Sequence, residues 1–145
     1  MSAIRFQRLD DRARLPARAH EGDAGLDLRA LEGGVIEPGR RLRVGTGLAV
    51  ALPEGSAGLV LPRSGLASRH GVTVANAPGL IDSGYRGELQ VLLVNLDPSE
   101  AFRFEAGERI AQLLVVDVNT AEPALVASLD QTARGQGGFG SSGVS

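Results

Sequence analysis

The sequence has 145 residues, a formal net charge of −2 and 22% charged residues. This length fits one domain, which buries roughly two-thirds of its unfolded surface without help from disulfides. Cysteine is absent, which excludes a disulfide framework and a thiolate metal site. The negative net charge disfavours a general nucleic-acid binder, because such a protein needs a basic surface to release counterions from the phosphate backbone.

All fifteen basic residues are Arg and none is Lys. A phosphate site in this protein would therefore use guanidinium groups, hydroxyls and backbone N–H groups. The start of the sequence lacks the apolar core of a signal peptide, and no stretch approaches the roughly 18 apolar residues that span a bilayer. We therefore expect a cytoplasmic protein that binds neither a membrane nor nucleic acid.

The first two predicted strands lie in residues 24–28 and 41–46. Short apolar runs between the 20 Gly and seven Pro residues follow a period of two, which predicts an all-β protein. Asp27 places a carboxylate in the first strand, where it needs a partner or a metal-bound water. In residues 41–46, Arg side chains alternate with Leu, Val and Thr, as in a strand with one solvated face.

Residues 64–70 are the only segment with a helical pattern. Ser64 can cap the first turn, and Gly71 can end the helix. Arg63 and Ser64 then lie at the N-terminus of this helix, where free N–H groups favour a negatively charged ligand such as phosphate. An ordinary N-cap beside a surface Arg is an equally good interpretation of the same residues.

Residues 79–87 predict a tight hairpin that carries Asp82 and the only Tyr of the chain, Tyr85. Taken alone, this Asp is better interpreted as a turn residue that caps its own loop. His20 and His70 are interpreted as surface residues, because neither has a second His or a Cys at metal-site spacing.

Three further strands follow. Residues 89–96 and 110–118 are apolar on nearly both faces, which suits strands buried between two sheets or inside an oligomer. Residues 101–105 alternate again. Turn sequences separate the predicted strands at residues 37–39, 52–55, 97–98 and 105–107. Many short strands with little helix indicate a sandwich, a barrel or a jelly roll, and we predict one β domain over residues 1–133.

Residues 134–145 predict a flexible Gly-rich tail, because they have little to bury and much backbone entropy to lose. The tail contains a G-x-G-x-x-G pattern from Gly135 to Gly140. A Rossmann fingerprint also needs a strand before it, a helix after it and an acid about 20 residues on, and only five residues follow Gly140. A Walker loop needs a Lys. The tail is therefore either a mobile terminus or a lid around an anion, with Arg134 supplying charge and Phe139 a stacking face.

Together, five segments resemble the dUTPase family in order and approximate spacing. They are residues 24–28, 62–67, 79–87, 107–112 and 134–143. Each is weak alone, but five in register cover nearly the whole chain. The resemblance implies a homotrimeric jelly roll, or distorted β-barrel, with three active sites at subunit interfaces. It also implies hydrolysis of dUTP to dUMP and pyrophosphate, which limits uracil incorporation into DNA and supplies dUMP for thymidylate synthesis.

The resemblance implies roles for individual residues in water attack on the α-phosphorus. Asp82 matches the position that orients and deprotonates the water. One Mg²⁺ is held mainly by the substrate phosphates, and Asp27 reaches it through bound water, which suits a cation that keeps several waters. The positions that contact phosphate, or allow the backbone close to it, are Arg63, Ser64, Gly65, Gln112 and Arg134.

Recognition of the base and sugar is implied for the loop from residue 76 to residue 85. Asn76 and backbone groups near Leu80 and Ile81 pair with the uracil edge, and a narrow hairpin excludes larger bases. Tyr85 lies against the deoxyribose, where a ribose 2′-hydroxyl would collide with its ring. The remaining substrate-binding positions are Gln90 beside the site and Phe139, Gly140 and Ser141 in the closing tail. The one departure in the tail is Ser142, where many relatives have Thr.

Two other functions compete with dUTP hydrolysis. The dCTP deaminases, including bifunctional ones, share the fold and part of the Arg-Ser motif, but their catalytic Glu corresponds to Leu92 here, which cannot move protons. A nucleotide-binding regulator without turnover is disfavoured because every proposed catalytic position is filled.

Overall fold

The structure is a computed structural model that describes residues 3–145; the first two residues of the predicted domain lie outside this range. Within it the chain forms ten strands and one short helix, which confirms the predicted all-β fold class. The elements in chain order are β1 (Arg5–Arg8), β2 (Leu26–Arg29), β3 (Gly34–Ile36), β4 (Arg41–Ala51), β5 (Ser56–Leu61), α1 (Ser64–His70), β6 (Val72–Val74), β7 (Gly79–Asp82), β8 (Glu88–Asn95), β9 (Phe102–Phe104) and β10 (Arg109–Asp117).

Two antiparallel four-stranded sheets build the body of the molecule. One has the strand order β1-β4-β8-β6, and the other has the order β2-β10-β5-β7. A third, two-stranded sheet pairs β3 with β9. Buried side chains from both large sheets form one apolar core, the arrangement expected of a jelly roll.

The core follows from the alternation along the strands. On β8, Leu89, Val91 and Leu93 are buried, while Leu92 and Val94 on the opposite face are half-buried. Each fully buried Leu contributes about 1.5–3 kcal/mol relative to an exposed one. Within the single chain, the apolar outer face of this strand is therefore only partly covered.

Helix α1 has the predicted bounds but not the predicted cap. Gly71 ends it in a left-handed conformation, with φ of 66°, which glycine adopts without a steric penalty. Arg63, not Ser64, occupies the N-cap position, and no side chain caps the first turn. Because the helix already begins at Ser64, the predicted capping role of this hydroxyl is wrong. None of the helical structure in residues 3–145 has the length and apolar character of a membrane-spanning segment.

The hairpin predicted for residues 79–87 is wrong in its pairing. Strand β7 pairs with β5, whereas β8 pairs with β4 and β6. The turn at residues 83–87 therefore crosses from one sheet to the other. Turn residues indicate where a chain reverses, but the partner of each strand is decided by the packing of the sheets.

Residues 119–145, which we call the arm, extend from this body. The last backbone contact with the body is the hydrogen bond from Val118 N to Gly55 O, at 2.9 Å. In the described structure the arm forms hydrogen bonds only within itself. Leu125 is fully exposed, and Leu129 is 83% exposed. Unpacked chain therefore begins before residue 134, where the sequence predicts the tail to start.

Candidate active site

A cleft of about 490 Å³ lies beside the start of α1. The register of the sheet places Asp27 opposite Gln112, and Gln112 opposite Leu61. The chain that leaves β5 therefore brings Arg63 and Ser64 to the same place. Three predicted segments, residues 24–28, 62–67 and 107–112, meet in this cleft, which we call the phosphate cleft. Its polar and glycine lining is His20, Asp23, Gly25, Asp27, Arg63, Ser64, Gly65, Arg109 and Gln112.

A β-bulge in β10 gives the phosphate cleft its second arginine. Side chains alternate along a regular strand, so residues three apart, such as Arg109 and Gln112, would face opposite sides. The pairing of β10 with β2 shifts register between Arg109 and Ala111, and Ile110 and Ala111 are both buried. The bulge therefore turns Arg109 to the same face as Gln112, and both line the cleft.

Hydrogen bonds fix the polar groups of the cleft relative to one another. Gln112 Nε2 donates to Pro62 O at 3.0 Å, and Arg63 Nη1 donates to Arg109 O at 3.0 Å. Arg109 Nη1 lies 3.3 Å from Asp27 Oδ2, and these two side chains are 41% and 19% exposed, respectively. Beside the carboxylates of Asp23 and Asp27, the cleft thus has guanidinium and amide donors, which suit a ligand with several phosphate oxygens.

Glycines bring the backbone close to these groups. A Cβ added at Gly25 would collide with Gln112 Oε1, so glycine at this position lets the chain leading to Asp27 pass the glutamine without displacing its side chain. At Gly65 an added Cβ would meet only the guanidinium of Arg69, at 3.7 Å. The backbone of Gly65 is therefore accessible to a ligand.

The turn after β7 carries a second group of predicted residues. Tyr85 is 42% exposed, and its hydroxyl donates to Glu88 O at 2.9 Å. Tyr85 N donates to Asp82 O at 3.1 Å, which closes the turn. An added Cβ at Gly87 would lie 2.6 Å from Tyr85 Cζ, so the ring rests against this glycine. Asp82 itself is exposed.

The other predicted base-binding residues lie before and after this turn in the sequence. Asn76 is exposed, and its amide lies 3.4 Å from the position of a Cβ added at Gly79. Leu80 is 63% exposed, whereas Ile81 packs against the core. Gln90 Nε2 donates to Glu88 Oε2 at 3.1 Å. Asn76, Leu80 and Gln90 are thus exposed, and Ile81 is half-buried.

Within one chain the two groups lie far apart. Asp82 pairs with Ala57 at the beginning of β5, whereas Arg63 follows the end of that strand. The six steps along the chain from Ala57 to Arg63 span roughly 20 Å when extended. Within one chain, Asp82 and the phosphate cleft therefore lie at opposite ends of β5.

The arm holds a third group. Arg134 Nε donates to Gly137 O at 2.8 Å, and Ser141 N donates to Gly138 O at 3.1 Å. Phe139 is fully exposed and has a positive φ of 50°. These local turns join the predicted residues to one another but to no part of the body.

The sequence patterns do not indicate that Arg109 and His20 line the cleft. Arg109 lies in a predicted segment, but strict alternation assigns it to the face opposite Gln112, and no sequence signal marks the bulge. His20 lines the cleft with its ring nitrogen 3.2 Å from Asp23 Oδ2. The prediction that this His is a surface residue is confirmed, since its side chain is 85% exposed.

Comparison with known proteins identifies the family. A model of the dUTPase family matches residues 11–143. The deoxyuridine 5′-triphosphate nucleotidohydrolase of Corynebacterium diphtheriae is 52% identical over 143 residues, covering 99% of this chain and 94% of that protein. The enzyme of the same name from Mycobacterium marinum is 55% identical over 147 residues, covering 98% of this chain and 96% of that protein.

Solved structures agree with these relatives. The dUTPase of Staphylococcus bacteriophage 80alpha with dUpNHpp has a TM-score of 0.91 and 33% identity, covering 99% of this chain and all of that one. A dUTPase variant from Staphylococcus aureus phage phi11, whose structure describes a structural Mg(II) ion, has a TM-score of 0.81 and 28% identity, covering 88% of this chain and 98% of that one. Sequence, fold and the composition of the cleft agree, and the chain belongs to the dUTPase family.

Proposed function

We propose that the protein hydrolyses dUTP to dUMP and pyrophosphate by attack of water on the α-phosphorus. The observation that carries this proposal is the phosphate cleft, which combines Arg63, Ser64, Gln112 and Asp27 in a member of the dUTPase family. In the cell this reaction limits uracil incorporation into DNA and supplies dUMP for thymidylate synthesis.

The cleft residues stabilise the leaving group. Negative charge grows on pyrophosphate as its bridging oxygen separates from the α-phosphorus, and donors already in position stabilise that charge at little reorganisation cost. Arg63 and Gln112 are each fixed by a hydrogen bond to a main-chain carbonyl. Ser64 is exposed at the start of α1, and Gly65 lets the backbone approach a phosphate oxygen.

Asp82 is the general base. The water oxygen forms a bond to the α-phosphorus, the bond to the bridging oxygen breaks with its electron pair on pyrophosphate, and the water proton passes to Asp82. An exposed carboxylate on a turn closed by the Tyr85 N–H is suited to this transfer, because it can be brought to a substrate held by another chain.

The chemistry of the donor set fits a magnesium ion carried by the substrate. Within residues 3–145 no three His, Cys, Asp or Glu side chains lie together as a metal site, so most ligands would have to come from phosphates and water. Asp27 would hold such an ion through water from its place in the cleft. When bound, Mg²⁺ neutralises phosphate charge and keeps several waters.

A homotrimer completes the site. Asp82 is paired with the start of β5 and Arg63 follows its end, roughly 20 Å away along the chain, and the arm makes no hydrogen bond to the body of its own chain. The three groups of site residues are therefore supplied by different subunits: the turn by one, the phosphate cleft by a second and the arm by a third. This division makes the isolated chain inactive.

Substrate recognition belongs to the turn and the arm. Asn76 and the backbone near Leu80 and Ile81 pair with the uracil edge, and Gln90 lies beside them. Tyr85, anchored through its hydroxyl, lies against the deoxyribose and excludes a 2′-hydroxyl. The tail of residues 134–145, which is the end of the arm, closes on the nucleotide. Arg134 and Ser141 contact the phosphates, Gly140 allows the turn, and Phe139 stacks on uracil.

Pyrophosphate release from dUTP, dCTP, dTTP and UTP tests this function. We expect rapid release from dUTP with Mg²⁺ present and release from the other three nucleotides that is slower by at least about 100-fold. Conversion of dCTP to a deaminated product would instead favour the deaminase relatives, and binding without turnover would favour a regulator. The cytoplasmic location stays a prediction that cell fractionation can test.

A further inference from the structure

We propose that Arg109 is a positioning residue for phosphoryl transfer, acting by holding the carboxylate of Asp27 in the orientation that faces the substrate. The inference rests on the proposed function and adds a residue to it. Arg109 has its place in the cleft only because of the bulge in β10, which turns its side chain to the face of Gln112.

The contact between the two side chains is suited to orientation. Asp27 is only 19% exposed, and Arg109 Nη1 lies 3.3 Å from one of its oxygens, Oδ2. A planar guanidinium that holds one carboxylate oxygen restricts rotation of the group and leaves the other oxygen for further hydrogen bonds. Partners of this kind orient groups that act on a metal or its water.

The main chain of Arg109 is also fixed within the cleft. Its carbonyl accepts a hydrogen bond from Arg63 Nη1 at 3.0 Å. The guanidinium that holds Asp27 therefore starts from a backbone position tied to a phosphate donor. A change in the Arg109 side chain leaves this carbonyl in place, so the side-chain role can be tested separately.

Charge gives the contact a second consequence. A triphosphate that enters the cleft meets a carboxylate of the same sign, and this repulsion is strong at short range in a partly desolvated site. Arg109 offsets the charge of Asp27 before the nucleotide arrives. Its removal should therefore weaken nucleotide binding most when no divalent cation is present to offset the same charge.

A double-mutant cycle on full-length protein tests the role through Asp27. We expect Arg109→Gln to lower kcat for dUTP by roughly 10- to 100-fold and to change KM by less than about threefold. In an Asp27→Asn background, the same substitution should lower kcat by less than about threefold, because the carboxylate that it orients is gone. Equal reductions in the two backgrounds would overturn the proposal.

Arg103→Gln is the matched control, because it removes an exposed Arg from β9 outside the cleft lining, and we expect unchanged kcat. Thermal unfolding of every variant separates loss of orientation from loss of fold. If Arg109→Gln fails to fold, the double-mutant cycle with Asp27→Asn is measured with Arg109→Lys instead. Failure of the proposed function is seen separately, as a wild-type protein that releases no pyrophosphate from dUTP.

Calorimetry with a non-hydrolysable imido analogue of dUTP gives a readout that does not depend on turnover. We expect Arg109→Gln to weaken analogue binding more in EDTA than in Mg²⁺, since the uncompensated Asp27 charge is then exposed to the phosphates. The same loss of affinity in both conditions would indicate direct contact between Arg109 and the phosphates, and would contradict a role through Asp27.

Discussion

The phosphate cleft and the arm contribute to one proposed active site, but they are organised in opposite ways. In the cleft, Arg63, Arg109 and Gln112 each donate a hydrogen bond to a different strand or loop. In the arm, hydrogen bonds connect only nearby residues, and the ring of Phe139 is fully exposed.

This difference separates the parts of the site that are ordered during folding from those ordered during the reaction. The cleft loses its conformational entropy when the sheets pack, so it can bind phosphates without further ordering. Fixing eight to ten residues of the arm costs on the order of 10 kcal/mol of backbone entropy. In the proposed reaction, contacts with the nucleotide offset that cost, and we expect them to be strongest where charge develops on the leaving group.

Asp82 gives the largest expected effect, because it is the residue proposed to take the proton from the attacking water. We expect Asp82→Asn to lower kcat by about two to four orders of magnitude and to leave folding, assembly and analogue binding largely intact. The carboxylate is exposed, so its replacement by an amide of the same shape disturbs no packing. Pyrophosphate release measures the effect. If the Asp82→Asn variant released pyrophosphate at the wild-type rate, Asp82 would not be the general base.

Removal of the tail tests the contribution of the arm, which is the flexible part of the proposed site. We expect a chain that ends at Ala133 to fold and form trimers, since residues 134–145 make no hydrogen bond to the body. Its kcat should fall roughly 100-fold through the loss of donors and of closure over the nucleotide. Steady-state kinetics and light scattering measure activity and assembly, and full activity would exclude a lid role.

Mixing two inactive proteins provides the control for a shared site. Truncated subunits have an intact Asp82, and full-length Asp82→Asn subunits have an intact tail. Mixed trimers combine both, so part of the activity should return after subunit exchange. A mixture no more active than its components, despite exchange shown by mass spectrometry, would contradict a site built from several chains.

The sequence predicts the body well because its signals are local. Alternation predicts the strands around residues 41–46, 89–96 and 110–118, since side chains on a strand face opposite sides in turn. The helix at Ser64–His70 follows from a short polar and apolar run that ends at Gly71. These features depend on neighbouring residues alone.

Features that depend on distant parts of the chain are not predicted from local patterns. The partner of β7 is set by sheet packing, so the predicted hairpin fails. Nothing in the residues between Arg109 and Gln112 signals a bulge. The roughly 20 Å between Asp82 and Arg63 follows from the pairing of Asp82 with Ala57 at the start of β5, a contact between distant parts of the sequence. The family resemblance identifies Asp82 and Arg63 as site residues but does not give the distance between them.

Gly25→Ala tests whether catalysis depends on the position of the Gln112 side chain in the cleft. The added Cβ collides with Gln112 Oε1, the far end of a flexible side chain, so the glutamine moves at small cost to stability. We expect the thermal midpoint to fall by only a few degrees and kcat to fall roughly 10-fold, because a displaced donor no longer meets its phosphate oxygen. Unchanged kcat would mean that Gln112 adapts or makes no phosphate contact.

Tyr85 gives the smallest expected effect, because it alters the choice of substrate more than the chemical step. Its ring packs against Gly87, and its hydroxyl donates a hydrogen bond to Glu88 O at 2.9 Å. These two contacts hold the ring in one position on an otherwise exposed turn. We expect Tyr85→Ala to raise the UTP to dUTP ratio of kcat/KM by up to roughly 10-fold, since exclusion of one hydroxyl by shape alone discriminates weakly. Tyr85→Phe is the matched control, because it keeps the ring and removes only the anchor. A ratio that stays at the wild-type value in Tyr85→Ala would mean that the sugar is read elsewhere, and a ratio that rises equally in Tyr85→Phe would mean that the hydroxyl anchor, and not the ring, excludes the ribose.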